Sequence, residues 1–99
     1  MVKQITTEEL LKRINNGEEV NIIDVRENAE VLKGKIPGSK NIPLSQLALR
    51  KNELDQSKKY IVVCQSGNRS KAACGILTSL GIQVEDCIGG MNNWSGPII

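Results

Sequence analysis

A chain of 99 residues with 39% hydrophobic side chains can bury one sheet with its helices but not two cores, which predicts a single domain over residues 1–99. Its 13 basic and 11 acidic residues leave a net charge of +2 with no basic stripe, so no nucleic-acid partner is expected. The absence of histidine excludes a Cys-His catalytic pair, and the 3 cysteines lack the spacing of a zinc site or a disulfide framework.

Those cysteines suit a reduced, cytoplasmic setting, with no metal or cofactor expected. The opening residues carry Glu8 and Glu9 and no long apolar run, so neither a signal peptide nor a membrane span is expected there.

In chain order, residues 2–5 read as a short edge strand. Thr6 with Glu9 forms a capping-box pattern ahead of Leu10, Leu11 and Ile14, which predicts a helix over residues 7–15. Residues 20–25 form a second apolar strand with Asp24 near its carboxyl end, and a brief helix over residues 27–33 should end at Gly34. Pro37, Gly38 and Pro43 mark a turn around an extended piece at residues 40–42. Residues 45–52 are expected to be helical, capped by Ser45 and anchored by Leu47, Leu49 and Leu54.

Residues 60–63 are apolar without a break, as in a fully buried parallel strand, and the run stops at Cys64. Small and polar residues follow around Gly67, and helical spacing resumes at Ala72, Ala73, Ile76, Leu77 and Leu80. Gly81 caps that helix, residues 83–88 alternate into a last strand, and Gly89-Gly90 opens a final turn over residues 91–94. Strands alternating with short helices predict a small α/β fold, a mainly parallel sheet flanked by helices on both faces. The loops after Val25, Cys64 and Ile88 then share one edge.

That edge is where open α/β sheets bind ligands, and a helix starting there presents unpaired amides. Amides around a sulfur stabilise a thiolate and not a thiol, which makes Cys64 the candidate nucleophile. The helix dipole supplies at most about 2 kcal/mol, whereas each hydrogen bond to a charged acceptor is worth roughly 1.5 to 3 kcal/mol. The loop therefore contributes more than the helix. Without an imidazole, the chemistry should involve a group that departs as a stable anion.

The segment Cys64-Gln65-Ser66-Gly67-Asn68-Arg69-Ser70 resembles the active loop of the rhodanese family of sulfurtransferases. Two further blocks support the resemblance: Asp24-Val25-Arg26 with Glu30 and the run from Gly34 to Pro43, and Gly89-Gly90-Met91-Asn92-Asn93-Trp94. The resemblance implies that Cys64 takes a sulfane sulfur from a donor such as thiosulfate and holds it as a persulfide, which cyanide or a thiol then removes. Gln65, Ser66, Gly67, Asn68 and Arg69 would form the anion cradle. The C-x4-R spacing is one residue shorter than that of the related dual-specificity phosphatases, which favours sulfur over phosphate. A phosphatase or arsenate reductase is the remoter alternative, and Glu85 and Asp86 are the nearest acids downstream. The family commonly has histidine where Lys35 stands and an aromatic residue where Val31 stands.

Other roles compete at several positions. Arg69 either contacts the anion or staples a carboxylate such as Asp24, and Arg26 either ties the loop edge together or meets substrate as a cation beyond a strand end. Cys74 and Cys87 read as packing, with a resolving thiol as the alternative, and Tyr60 and Trp94 as core or pocket wall. The expected partners are a small sulfur-containing anion or persulfide donor and a thiol or cyanide acceptor. The rival function is a carrier module that receives persulfide sulfur from a protein partner in a sulfur relay, or only docks to it.

Overall fold

The computed structural model describes residues 2–99. Five strands, β1 (Lys3–Thr6), β2 (Asn21–Asp24), β3 (Lys40–Asn41), β4 (Lys59–Val63) and β5 (Gln83–Ile88), alternate with the helices α1 (Thr7–Asn15), α2 (Asn28–Val31) and α3 (Asn68–Ser79). They form one sheet in the order β1-β5-β4-β2-β3, with every pairing parallel. The small parallel α/β architecture read from the sequence is therefore present, with the 2–5 segment on the sheet edge as β1.

The unbroken apolar run of β4 serves two cores at once, because successive strand side chains point to opposite faces. Tyr60, Val62 and Cys64 pack with Ala73, Cys74 and Leu77 of α3, while Ile61 and Val63 pack with Ile5, Leu10 and Cys87 on the α1 side. The capping box of α1 forms as read: the Thr6 hydroxyl accepts from the Glu9 amide at 3.1 Å. No helix among the described residues is long and apolar enough to cross a membrane.

The stretch 45–52 departs from expectation. It forms two 3-10 turns, Leu44–Gln46 and Lys51–Glu53, and Ser45 caps neither. The Leu44 amide is held by the Val25 carbonyl at 3.1 Å, so a tertiary backbone bond starts the turn one residue early and leaves Ser45 exposed. Leu47 and Leu54 are buried, but Leu49 is 86% exposed and anchors nothing. Helix α3 begins at Asn68, ahead of the apolar spacing that resumes at Ala72, because Gly67, at φ +102°, serves as its N-cap.

In register, Asp24 of β2 sits beside Val63 of β4, and Val62 beside Asp86 of β5. This alignment brings the three carboxyl-end loops to one edge around Cys64.

Candidate active site

Cys64 ends the central strand with 0% of its surface exposed, on the same face as Val25 and Ala73. The chain then turns back at Gly67, whose amide donates to Cys64 Sγ at 3.0 Å. A positive φ suits only glycine here, and a Cβ at Gly67 would stand 3.1 Å from the Gly89 nitrogen. Of the loop amides, Gly67 alone meets the sulfur. Among the described residues, those of Gln65, Ser66, Asn68 and Arg69 donate to no backbone or side-chain acceptor. The cradle is thus built from one engaged amide and four that remain available.

The loop after β5 fixes this cradle from behind. Met91 N–H donates to the Cys64 carbonyl at 2.8 Å and Asn92 N–H to that of Gln65 at 2.9 Å. Such an approach requires Gly90, at φ +56°: a Cβ there would lie 2.2 Å from the Cys64 carbonyl oxygen. The Gly-Gly pair near the site rim is therefore set by backbone clearance.

Arg26 is 3% exposed, and its five N–H donors are all engaged. Nε and Nη2 bind Asp24, the shortest at 2.8 Å; Nη2 also meets the Gly34 carbonyl, and Nη1 meets the Glu30 carbonyl and Gln65 Oε1. Nε2 of Gln65 in turn donates to Asn92 Oδ1 at 2.7 Å. The guanidinium thus ties β2, the loop after α2 and the Cys64 loop together, and pins the Gln65 side chain across the mouth. Ser66 and Asn68 project into solvent.

Arg69 staples a carboxylate, but that carboxylate is Glu30, not Asp24. Its two terminal nitrogens meet the two Glu30 oxygens, one pair at 2.7 Å. The Arg69 hydrogen bond holds the Glu30 carboxyl down at about 2. Glu30, above all, raises the affinity of Arg69 for its proton, and charge on Cys64 adds to it. Sequence reading gave Glu30 no role, since no spacing rule links two residues 39 positions apart. It quoted Asn92 in the block Gly89 to Trp94, likewise without a role.

Neither downstream acid faces open space. Glu85 points to the α1 side, where Arg13 and Lys59 pair with it. Asp86 is 3% exposed and accepts from Ser70 Oγ at 2.6 Å, while the same hydroxyl lies 3.1 Å from the Gly67 carbonyl. That serine links the sheet to the turn carrying the sulfur's hydrogen-bond donor. Burial pushes the Cys74 and Cys87 thiols up to about 12, so both stay protonated and inert near neutrality. Tyr60 is core, and Trp94 packs against the α1-side core.

Residues 6–97 match the family model described as Rhodanese-like domain. The Bacillus subtilis (strain 168) protein named "Putative sulfurtransferase YtwF" is 37% identical over 95 residues, covering 96% of this chain and 92% of that protein. "Putative sulfur carrier protein YrkF" from the same organism is 34% identical across 96% of this chain and 52% of its own length. Among solved structures, a rhodanese-like domain protein from Staphylococcus aureus superposes with a TM-score of 0.91 at 34% identity, covering 95% of this chain and 92% of that one.

Proposed function

Since the chain belongs to the family of rhodanese-like domains, a sulfurtransferase family, we propose that it moves sulfane sulfur through a persulfide on Cys64. The observation that carries this reading is the Gly67 N–H to Cys64 Sγ contact at 3.0 Å, set beside loop amides that have no acceptor of their own. In the first half-reaction the Cys64 thiolate attacks the outer sulfur of a donor such as thiosulfate. The new S–S bond forms as the old one breaks, and its electron pair leaves on sulfite. Sulfite is stable as an anion, so no general acid is required. The outer persulfide sulfur would then take the amides of Gln65, Ser66, Asn68 and Arg69 as its donors. In the second half-reaction cyanide or a thiolate attacks that outer sulfur and regenerates the Cys64 thiolate. A reduced cytoplasmic location is part of this proposal, on the odd number and the spacing of the 3 cysteines.

Incubation with thiosulfate followed by intact mass measurement tests the proposal. A gain of one sulfur atom, absent in Cys64→Ser, is expected; a gain that persists in that variant, or none with any sulfane donor, removes it.

A second reading is favoured by the complete burial of Cys64 and by the relative whose name denotes a sulfur carrier. On that reading Cys64 accepts sulfur from a partner protein and turns over free donors slowly. A high turnover with free thiosulfate and cyanide would dismiss it.

A further inference from the structure

Asp86 is a buried carboxylate that the sulfur exchange described above does not use. It stands on β5, 3% exposed, on the face that α3 covers, with Val62 of β4 beside it in register. The layer between sheet and helix is otherwise built from apolar side chains and thiols, among them Val62, Ala73, Cys74 and Leu77. Among the described residues no lysine or arginine pairs with Asp86. A carboxylate buried without a cation costs free energy that an apolar side chain would not.

Among the described residues the Asp86 side chain accepts one hydrogen bond, from Ser70 Oγ at 2.6 Å. Ser70 is wholly buried in the first turn of α3, and the same Oγ stands 3.1 Å from the Gly67 carbonyl. One hydroxyl proton is thus shared between two acceptors, with the shorter contact to the carboxylate. The Gly67 carbonyl is one end of a peptide whose other end is the Asn68 N–H. A trans peptide is planar, so fixing that oxygen aims that amide. The Asn68 and Arg69 amides precede Ser70 in the same turn and are the part of the cradle that α3 supplies.

The sheet gives the second fixed point. Cys64 follows Val62 by two residues, so the pairing of Val62 with Asp86 holds the carboxylate at a set offset from the sulfur. A bond from β5 to the first turn of α3 therefore sets where the free amides stand relative to Sγ.

We propose that Asp86 is a positioning residue for sulfur transfer: through Ser70 it locks the start of α3 to the sheet and aims the Asn68 and Arg69 amides at the outer sulfur of a Cys64 persulfide. The inference rests on the Cys64 persulfide reading above. Asp86 makes no hydrogen bond to the sulfur itself. It acts by holding donors in place before the negative charge arrives.

Three variants test this. Asp86→Asn keeps an acceptor for the Ser70 hydroxyl, Asp86→Leu removes it, and Asp86→Ala removes it with a smaller side chain should leucine not fit. In the last two the hydroxyl still has the Gly67 carbonyl, so no buried polar group is orphaned. The rate of one-sulfur gain from thiosulfate, followed by intact mass, should fall at least about tenfold in Asp86→Leu and Asp86→Ala, the scale of one lost hydrogen bond to a charged acceptor. In Asp86→Asn it should stay within about threefold of wild type. In NMR, loading with sulfur should move the Asn68 and Arg69 amide protons downfield in wild type and Asp86→Asn, but not in Asp86→Leu or Asp86→Ala. A slower gain with those shifts intact would mark Asp86 as structural only and overturn the proposal. Wild-type loading rates in Asp86→Leu and Asp86→Ala, or an equal loss in Asp86→Asn, also overturn it and leave sulfur transfer standing. No Cys64-dependent sulfur gain by the wild type from any sulfane donor overturns both.

Discussion

The amide of Met91 donates to the carbonyl of Cys64 at 2.8 Å, so the residue proposed as nucleophile is positioned by a loop 27 positions later in the chain. This bond exists only because Gly90 lets the two backbones approach. Substitution there tests how far the cradle depends on it.

Gly90→Ala should be among the most damaging small changes in the protein. Its Cβ would stand 2.2 Å from the Cys64 carbonyl oxygen at a φ of +56°. A loss of about 2 kcal/mol or more is expected in urea unfolding, with reduced sulfur loading of Cys64 in the fraction that still folds. A wild-type unfolding midpoint would contradict the close approach.

Arg26→Lys keeps a positive charge but replaces a five-donor fork with three donors on one nitrogen. Asp24, 0% exposed, would lose its paired geometry, and Gln65 would lose its tether. A destabilisation of roughly 2 to 4 kcal/mol should follow. Amide exchange at Gln65 and Ser66 should accelerate with it, which hydrogen-exchange NMR would record.

Cys74 and Cys87, with thiols raised to about 12 by burial, should resist alkylation by iodoacetamide in the native protein at pH 8 and react at once in denaturant. Peptide mass mapping distinguishes the two states. Modification of either residue in folded protein would restore a resolving role.

Glu30 titrates at about 2 in the folded protein, below its ordinary value of 4.5. A folded value depressed in this way contributes stability above the unfolded value, and that contribution disappears as pH falls from about 4.5 through about 2. The pair is about a third exposed, so the stabilisation should be under about 1 kcal/mol. The Glu30 side-chain carbon shift in NMR should keep its ionised position down to about pH 3, and Arg69→Leu should return its midpoint to the ordinary carboxylate range.

The sequence by itself determined the alternation of elements and the placement of Cys64. The capping box at Thr6, the run into Val63 and the switch to helical spacing after Ser70 are local signals, each set by neighbours within a few residues. From them follow a parallel sheet and a sulfur at its carboxyl edge. Only the tertiary structure decided that Arg69 faces Glu30, that Gln65 is pinned between Arg26 and Asn92, and that Leu49 points to solvent while Leu47 is buried. Those outcomes depend on which side chains meet across the site and which backbone amides are already held, as Leu44 is by Val25. Such pairings join residues far apart in the chain, and periodicity along one segment carries no record of them.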